Sequence, residues 1–139
     1  MVKVTRFGVS LEASLLEKFD HLNEQKGYKN RSEAIRDLIR EKLVSEEWRS
    51  SDQETVGVFS LVYNHHHREL NKILTDIQHH YLDTIVSSTH VHVDHHNCLE
   101  VIILRGTVEK IKKIANELSS TTGVKHGKLT MSSTGSNLD

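Results

Sequence analysis

The first region with a clear pattern of apolar and polar positions is the segment at residues 6–11. Every second residue of this stretch, RFGVSL, is apolar. A period of two predicts a β-strand with one buried face, because successive side chains of a strand point to opposite sides. The other face would then present Arg6, Gly8 and Ser10.

Two amphipathic helices are predicted after this strand. Apolar residues recur at helical spacing between Leu15 and Leu22, and Gly27 suits a left-handed helix C-cap. Asn30 can cap a second helix, with Glu33 returning the bond as in a capping box. The apolar face of the second helix would consist of Ala34, Ile35, Leu38, Ile39 and Leu43. About fifty residues with one unpaired strand bury too little surface to be stable alone, so this region requires a second copy.

Pairing the strands of two copies would produce an antiparallel ribbon with four helices on its apolar side, which is the ribbon-helix-helix architecture. Such a ribbon fits the DNA major groove, and the free amides at the start of the second helix can bind a phosphate. The net charge of the chain is only −1, but Lys3, Arg6, Lys29 and Arg31 lie near the proposed DNA side. The alternative is a dimerisation strand with a solvated polar face.

The second half of the chain alternates strand and helix patterns in the order βαββαβ. The predicted strands are residues 56–63, 85–93, 99–104 and 124–131, and the predicted helices have apolar stripes at residues 70–77 and 111–118. This order is typical of a ferredoxin-like (ACT-like) fold, so we expect an α+β protein.

The predicted domain boundary lies in a polar stretch at residues 43–56. We interpret this stretch as a helix end plus a hinge, with Trp48 packing against one of the domains. The sequence therefore predicts a ribbon-helix-helix domain at 1–50, a ferredoxin-like domain at 51–132 and a disordered tail at 133–139.

Composition restricts where such a protein can work. The chain has 139 residues, 36% of them hydrophobic, and no apolar run long enough to span a membrane. The N-terminal sequence lacks the layout of a signal peptide, so we expect a cytoplasmic protein without a membrane partner. A single cysteine forms no internal disulfide, which agrees with a reducing compartment.

Histidine is concentrated in one part of the second half: nine of the eleven histidines lie between His65 and His96. His90 and His92 are two apart on a predicted strand, so their side chains share a face. Cys98 lies across the predicted hairpin turn at residues 94–97, within chelating reach of His92. These three residues predict a partial transition-metal site. The alternative is a polar, histidine-rich edge with a buried cysteine.

His79 is a candidate fourth ligand at the end of the preceding helix. About ten residues at roughly 3.3 Å each separate it from His90 and His92, which suggests a separation of roughly 30 Å within one subunit. We therefore expect His79 to come from a neighbouring subunit. A tetrahedral set of three imidazoles and one thiolate suits zinc, and a planar set suits Ni(II) or Cu(II). The remaining histidines are interpreted as solvated or secondary: His21, His65, His66, His67, His80, His95, His96 and His126.

Taken together, these motifs resemble the nickel-responsive transcriptional regulator (NikR) family over essentially the full length except the tail. The resemblance is carried by RFGVSL, by the segment GYKNRSEAIRD at residues 27–37, by Gln78-His79-His80, and by His90-Val91-His92 followed by Cys98-Leu99-Glu100. It implies one planar Ni(II) site per subunit, made by His90, His92 and Cys98 of one subunit and His79 of another. It also implies a homotetramer built as a dimer of dimers, with the second domain responsible for metal binding and tetramerisation.

The resemblance also implies roles for further residues. Tyr63, Gln78 and Glu100 would orient the ligands. Double-stranded operator DNA would be contacted by Arg6, Gly8, Ser10, Lys29, Arg31, Ser32 and Arg68. Gly8 stands where some relatives carry threonine, and His67-Arg68 stands where some carry a Lys-Arg pair. Glu33 and Asp37 match positions that help bind an additional cation in some relatives.

The function predicted from the sequence is a nickel-dependent, sequence-specific DNA-binding regulator that represses nickel uptake genes. A metalloenzyme is disfavoured, because H-E-x-x-H is absent and a catalytic zinc keeps an open position beside a general base. The other alternative is a ribbon-helix-helix repressor that responds to another metal or to a small molecule.

Overall fold

The computed structural model describes residues 2–139 and divides the chain into two compact units. The first unit ends at Glu41, and the second runs from Lys42 to Asp139. The division falls inside the second helix. No helix within residues 2–139 is both long and apolar enough to cross a bilayer.

The first unit contains the two predicted helices. Helix α1 covers Ala13–Gln25 and helix α2 covers Arg31–Glu47. Gly27 follows α1 with a φ of 81°, a left-handed conformation that glycine adopts without steric cost, as the sequence predicted. The side chain of Asn30 accepts a hydrogen bond of 3.0 Å from the backbone N–H of Glu33 and so caps α2.

The predicted N-terminal strand is not formed within a single chain. Residues 2–12 contain neither helix nor strand, and the apolar side chains of this stretch are exposed, with Phe7 at 68% and Val9 at 61%. The physical reason is that a strand needs a neighbour to accept and donate its backbone hydrogen bonds. Formation of the predicted strand would therefore require a second copy of the chain.

The second unit has the predicted βαββαβ order. Its elements are β1 (Glu54–Asn64), α3 (Arg68–His80), β2 (Ile85–His92), β3 (Asn97–Thr107), α4 (Val108–Ser119) and β4 (Val124–Met131). The strands form one sheet in the order β2-β3-β1-β4, and all three pairings are antiparallel. Together with the two N-terminal helices, this arrangement confirms the predicted α+β class with a ferredoxin-like second domain.

The core of the second unit lies between one face of the sheet and its helices. Alternate residues of β1 are buried, including Phe59, Leu61 and Tyr63, and they pack with buried residues of α4 such as Ile111 and Ile114. Strand β2 lies at the edge of the sheet, and all of its residues after Ile85 are exposed. The edge position leaves the His90 and His92 side chains accessible to a ligand.

Trp48 belongs to this same core, in agreement with the prediction that it packs against one of the domains. It is 2% exposed, and its indole Nε1 donates a hydrogen bond of 2.8 Å to the carbonyl oxygen of Ser132. The ring packs over Gly57, where an added Cβ would lie 3.0 Å from the indole. The polar stretch is thus a short connection that contains a tryptophan buried in the core of the second unit.

The start of the C-terminal tail is also held in place. The Ser132 N–H donates to the carbonyl oxygen of Val56, and the Ser133 hydroxyl donates to a Glu47 carboxylate oxygen at 3.2 Å. These contacts link the end of the second domain and the first residue of the predicted tail to β1 and to the end of α2, and the disorder of residues 133–139 stays a prediction.

Candidate metal centre

The hairpin of β2 and β3 places the three predicted hairpin ligands on one face of the sheet. In the strand register, His92 lies opposite Cys98 and His90 lies opposite Glu100. Paired residues of antiparallel strands project to the same side, and this side is the one on which Cys98 and Glu100 are buried. The His90 and His92 rings are nearly parallel, at an interplanar angle of 13° with centroids 6.5 Å apart.

The turn that joins these strands is organised by Asp94. Its Oδ1 atom accepts hydrogen bonds from the backbone N–H groups of His96 and Asn97, at 2.8 and 2.7 Å. The side chain and backbone of Asn97 are the leading reasons that the pKa of Asp94 lies far below its usual range. A charged Asp94 therefore fixes the turn and, with it, the relative position of the two ligand-bearing strands.

Tyr63 connects several groups of the site through its hydroxyl. The oxygen lies 2.6 Å from His90 Nε2 and 3.2 Å from Glu100 Oε2. If His90 carries its proton on Nε2 and donates to Tyr63, the hydroxyl proton of Tyr63 is free to donate to Glu100, and both contacts are satisfied. Burial is the main reason that the pKa of Tyr63 is raised, so the hydroxyl keeps its proton.

Glu100 receives a second hydrogen bond from α3. Gln78 Nε2 donates to Glu100 Oε1 at 2.9 Å, while Tyr63 contacts the other carboxylate oxygen. Glu100 is 4% exposed, so these two donors provide the compensation that a buried carboxylate needs. The three residues that the resemblance assigned to orienting the ligands thus form one hydrogen-bonded chain that ends on His90.

Cys98 is completely buried and free of any disulfide. Burial is the main reason that the pKa of Cys98 is raised, and the neighbouring Tyr63 side chain acts in the opposite direction. The sulfur is therefore a protonated thiol in this state, and a metal would have to displace the proton to gain a thiolate ligand.

His79 lies nearer to the other candidate ligands than the sequence estimate suggested. His79, His90 and His92 line one cavity of about 510 Å³ within a single chain. The estimate of roughly 30 Å is wrong because it took the end of α3 to lie level with the start of β2. In the structure, Gln78 at the end of α3 contacts Glu100, the register partner of His90.

Within the described residues, the side chains of the candidate ligands do not yet surround one point at which a metal ion could bind. Among residues 2–139, no three His, Cys, Asp or Glu side chains converge closely enough to hold a metal ion. The chemistry of the set nevertheless fits nickel, because imidazole and thiolate are ligands that Ni(II) accepts, and His90 has the outer hydrogen bond typical of ligand histidines. His90, His92 and Cys98 are the residues that would hold the ion, with an additional donor completing the set.

One histidine that the sequence analysis interpreted as solvated or secondary lies close to the candidate site. His65 lines the same cavity, and its ring packs edge-on against His92 with centroids 4.8 Å apart. Burial is the main reason that the pKa of His65 is lowered. Its position two residues after Tyr63, on the same side of the chain, was the available signal. Of the other histidines, His80 packs against Tyr81 and His21 contacts Gln25.

The predicted DNA-contacting residues of the first unit lie around a separate cavity. Arg6, Ser10, Arg31 and Ser32 all line this cavity of about 980 Å³, together with apolar residues of the N-terminal segment and both helices. Gly8 faces open space, with nothing within 4 Å of an added Cβ. Lys29 is exposed, and Arg68 is the first, exposed residue of α3 in the second unit.

Two predicted functional residues of the first unit have partners within the chain. Arg31 forms a bidentate pair with Asp20, through bonds of 2.8 and 2.7 Å. Asp37, one of the two carboxylates suggested for an additional cation, accepts a hydrogen bond of 2.6 Å from the Tyr28 hydroxyl. Glu33 lies in the first turn of α2, and its backbone bonds to Asn30 as described above.

Both halves of the chain match known protein families. The profile described as the NikR C terminal nickel binding domain matches residues 56–132, and the profile described as ribbon-helix-helix protein, copG family, matches residues 5–46. A ribbon-helix-helix segment followed by this domain defines a class of transcriptional regulators rather than enzymes.

Relatives at high identity give the same assignment over nearly the whole chain. Those from Geobacter metallireducens, Thermococcus onnurineus and Pyrococcus furiosus are 56%, 55% and 57% identical, and each carries the provisional name nickel-responsive regulator. The matches cover 99%, 99% and 95% of this chain and 99%, 99% and 96% of the relatives. The chain therefore belongs to the NikR family of nickel-responsive regulators, which confirms the resemblance and the prediction of a non-enzyme.

A fold that covers about half of this chain also occurs in a protein of low sequence identity. An uncharacterised protein from Thermotoga maritima superimposes with a TM-score of 0.51 at 13% identity, covering 55% of this chain and 95% of the other. At this identity, the similarity concerns the fold alone.

Proposed function

We propose that this protein is a nickel-dependent, sequence-specific DNA-binding regulator that represses nickel uptake genes in the cytoplasm. Family membership supports the response to nickel. The observation that carries the proposal is the β2–β3 register, which places His90, His92 and Cys98 on one face beside a hydrogen-bonded chain that orients His90.

In the proposed site, each subunit binds one Ni(II) through His90, His92 and the Cys98 thiolate, with His79 of the partner subunit as the fourth ligand. Because His79 also lines the cavity of its own chain, the assignment to the partner rests on the family resemblance. Bound nickel would act as a cross-link that holds its four ligands in one geometry.

The proposed assembly is a homotetramer built as a dimer of dimers. The apolar residues of the N-terminal segment support pairing of two chains into a ribbon, since they are largely exposed in one chain. Arg6 and Ser10 would then face the major groove of operator DNA, and Lys29, Ser32 and Arg68 would contact phosphates. Arg31 could bind a phosphate only by sharing or leaving its pair with Asp20.

Nickel occupancy would regulate DNA binding by favouring one arrangement of the tetramer over others. A metal shared between subunits binds most tightly to the arrangement that brings its ligands together, and operator binding to that same arrangement links the two events. Phosphate contacts would supply much of the affinity and make it depend on salt.

The test is a gel-shift titration of the full chain on the promoter region of its own gene, with and without Ni(II). We expect nickel to strengthen binding, and we expect Cys98→Ala to remove this effect because the thiolate ligand is lost. His126→Ala is a matched control, because it removes an exposed histidine on β4 away from the proposed ligands.

Equal binding of the parent chain and Cys98→Ala, with and without nickel, would refute the nickel switch. Nickel-independent binding that responds to another divalent metal would support the alternative sensor. Loss of the nickel effect in His126→Ala as well would show that nickel acts through exposed histidines in general.

A further inference from the structure

The last turn of helix α2 is held in the second unit by contacts around Trp48. The backbone N–H of Trp48 donates to the carbonyl oxygen of Val44 at 3.2 Å, so the helical hydrogen bonding continues as far as the residue that carries the indole. Val44 packs against the core of the second unit, and the Trp48 side chain is buried within it. The end of α2 is therefore anchored in that core.

One carbonyl oxygen directly after β4 accepts the polar contacts of this anchor. The Ser132 carbonyl oxygen accepts hydrogen bonds from the Trp48 indole Nε1 at 2.8 Å and from the Thr55 hydroxyl at 3.1 Å. A backbone carbonyl oxygen has two lone pairs, so these two donors use its full capacity. Ser132 is fixed in turn, because its N–H donates to the Val56 carbonyl oxygen at 3.0 Å. We call Trp48, Thr55 and Ser132 the tryptophan latch.

Two neighbouring elements also contact Trp48. Gly57 of β1 lies so close that an added Cβ would be 3.0 Å from the indole, and the missing side chain lets the ring approach the strand. Lys112 Nζ of α4 donates to the Trp48 carbonyl oxygen at 3.3 Å, which satisfies one of the carbonyls that are left free at a helix end. Contacts from β1, α4 and the segment after β4 thus meet at a single residue.

Helix α2 contains no residue type that favours a hinge. Its sequence, RSEAIRDLIREKLVSEE, has neither glycine nor proline. The helix covers Arg31–Glu47, and the boundary between the two units falls inside it, after Glu41. Strand β1, which contacts the latch, also carries Tyr63, whose hydroxyl lies 2.6 Å from the candidate ligand His90. The latch and the candidate metal centre therefore share one strand.

We propose that the tryptophan latch is the connection through which nickel binding acts on the DNA-binding half of the chain, an inference that rests on the proposed function. A nickel-dependent rearrangement of the second domains would displace the end of α2 that the latch holds. A continuous helix transmits such a displacement, whereas a flexible linker would absorb it. Trp48 is thus a positioning residue that touches neither nickel nor DNA.

The experiment compares the full chain with Trp48→Phe, which keeps an aromatic ring but removes the indole N–H, and with the double variant Trp48→Phe/Thr55→Val, which removes both donors to the Ser132 carbonyl oxygen. Fluorescence anisotropy measures operator binding with and without Ni(II). The thiolate-to-nickel absorption band, which reports the Cys98 site, measures nickel uptake without DNA.

We expect the strengthening of operator binding by nickel to be about 10-fold smaller in the double variant than in the parent chain, with a lesser reduction in Trp48→Phe. Nickel uptake without DNA should be unchanged in both. The control is Ile102→Val, which shortens a fully buried side chain on β3 outside the latch and should behave like the parent chain. This control separates the latch from a general loosening of the core.

An equal nickel effect in the parent chain and the double variant would overturn the inference and leave the proposed function intact. A parent chain whose operator binding does not respond to nickel would refute the proposed function itself, so the two failures are distinguishable.

A second measurement uses the unaltered chain. Trp48 is its single tryptophan, so tryptophan fluorescence reports on the latch alone. The emission of Trp48 should remain shielded from quenching by acrylamide when nickel and operator DNA are added. Full exposure to the quencher in the nickel-bound or DNA-bound state would overturn the proposal, because a released indole cannot hold the end of α2.

Discussion

The two units of this chain differ in how completely each buries its apolar residues. The second unit closes a core of its own, in which Leu61, Ile102 and Leu118 are fully buried. In the first unit, Phe7, Val9 and Leu38 are all more than half exposed, although they follow strand or helix periodicity. Contiguous apolar residues that remain exposed in one chain are typical of an interaction site. The second unit therefore buries its apolar residues within one chain, whereas the first leaves them exposed, as the proposed pairing with another copy requires.

The largest expected effect comes from placing a charge in the exposed N-terminal segment. Phe7→Glu should lower operator affinity by about 100-fold or more, because an unpaired carboxylate at the ribbon interface opposes pairing of the two strands that enter the groove. Fluorescence anisotropy with operator DNA measures this effect. The thiolate-to-nickel absorption of the second unit should be unchanged, and Phe7→Leu should behave like the parent chain. Unimpaired binding by Phe7→Glu would show that the segment forms no ribbon.

A pair of leucine truncations tests the difference between the units directly. Leu61→Ala should cost about 2–5 kcal/mol of unfolding free energy, because it opens a cavity in the closed core. Leu38→Ala should cost about as much only if a second copy covers this helix face, and its cost should then depend on protein concentration. Chemical denaturation at several concentrations measures both. A small, concentration-independent effect of Leu38→Ala would contradict the dimeric ribbon-helix-helix unit.

The polar chain in the second unit should have a smaller effect on metal binding. Tyr63→Phe removes the hydroxyl that contacts both His90 and Glu100. We expect nickel affinity to fall about 10-fold, the lower end of the effect of losing a group that orients a metal ligand. Competition with a chelator measures the change. The control is Phe59→Tyr, which alters another buried ring of β1 and should leave nickel affinity unchanged. Unchanged nickel affinity in Tyr63→Phe would show that Tyr63 does not support the site.

The smallest expected effect is the pH response of the Asp20–Arg31 pair in the first unit. The hydrogen bond from Arg31 holds the pKa of Asp20 below its usual range. Because the folded pKa is lowered, the pair contributes stability above the ordinary carboxyl pKa and loses it as the pH falls through the lowered value. Carboxyl NMR titration should show the pKa of Asp20 returning toward normal in Arg31→Ala. The same pKa in both proteins would contradict the pair.

Local sequence patterns predicted much of the architecture because they reflect local physical requirements. The apolar stripes located the four helices found within residues 2–139, and Gly27 and Asn30 marked the end of one helix and the start of the next. Apolar runs and a predicted hairpin turn located the four strands of the sheet. The observed elements extend beyond several predictions, as in β3, which covers Asn97–Thr107 instead of residues 99–104. Ends differ because pairing with neighbouring strands, which no local pattern reports, determines where a strand stops.

Of the candidate site, the sequence by itself determined that His90, His92 and Cys98 share one face, because strand periodicity and a short turn decide this locally. Only the tertiary structure decided that Gln78 reaches Glu100, that His79 lies beside the same cavity, and that Trp48 closes the second core. These contacts join residues far apart in the chain. They depend on how a helix packs across a sheet, which neither spacing nor composition specifies.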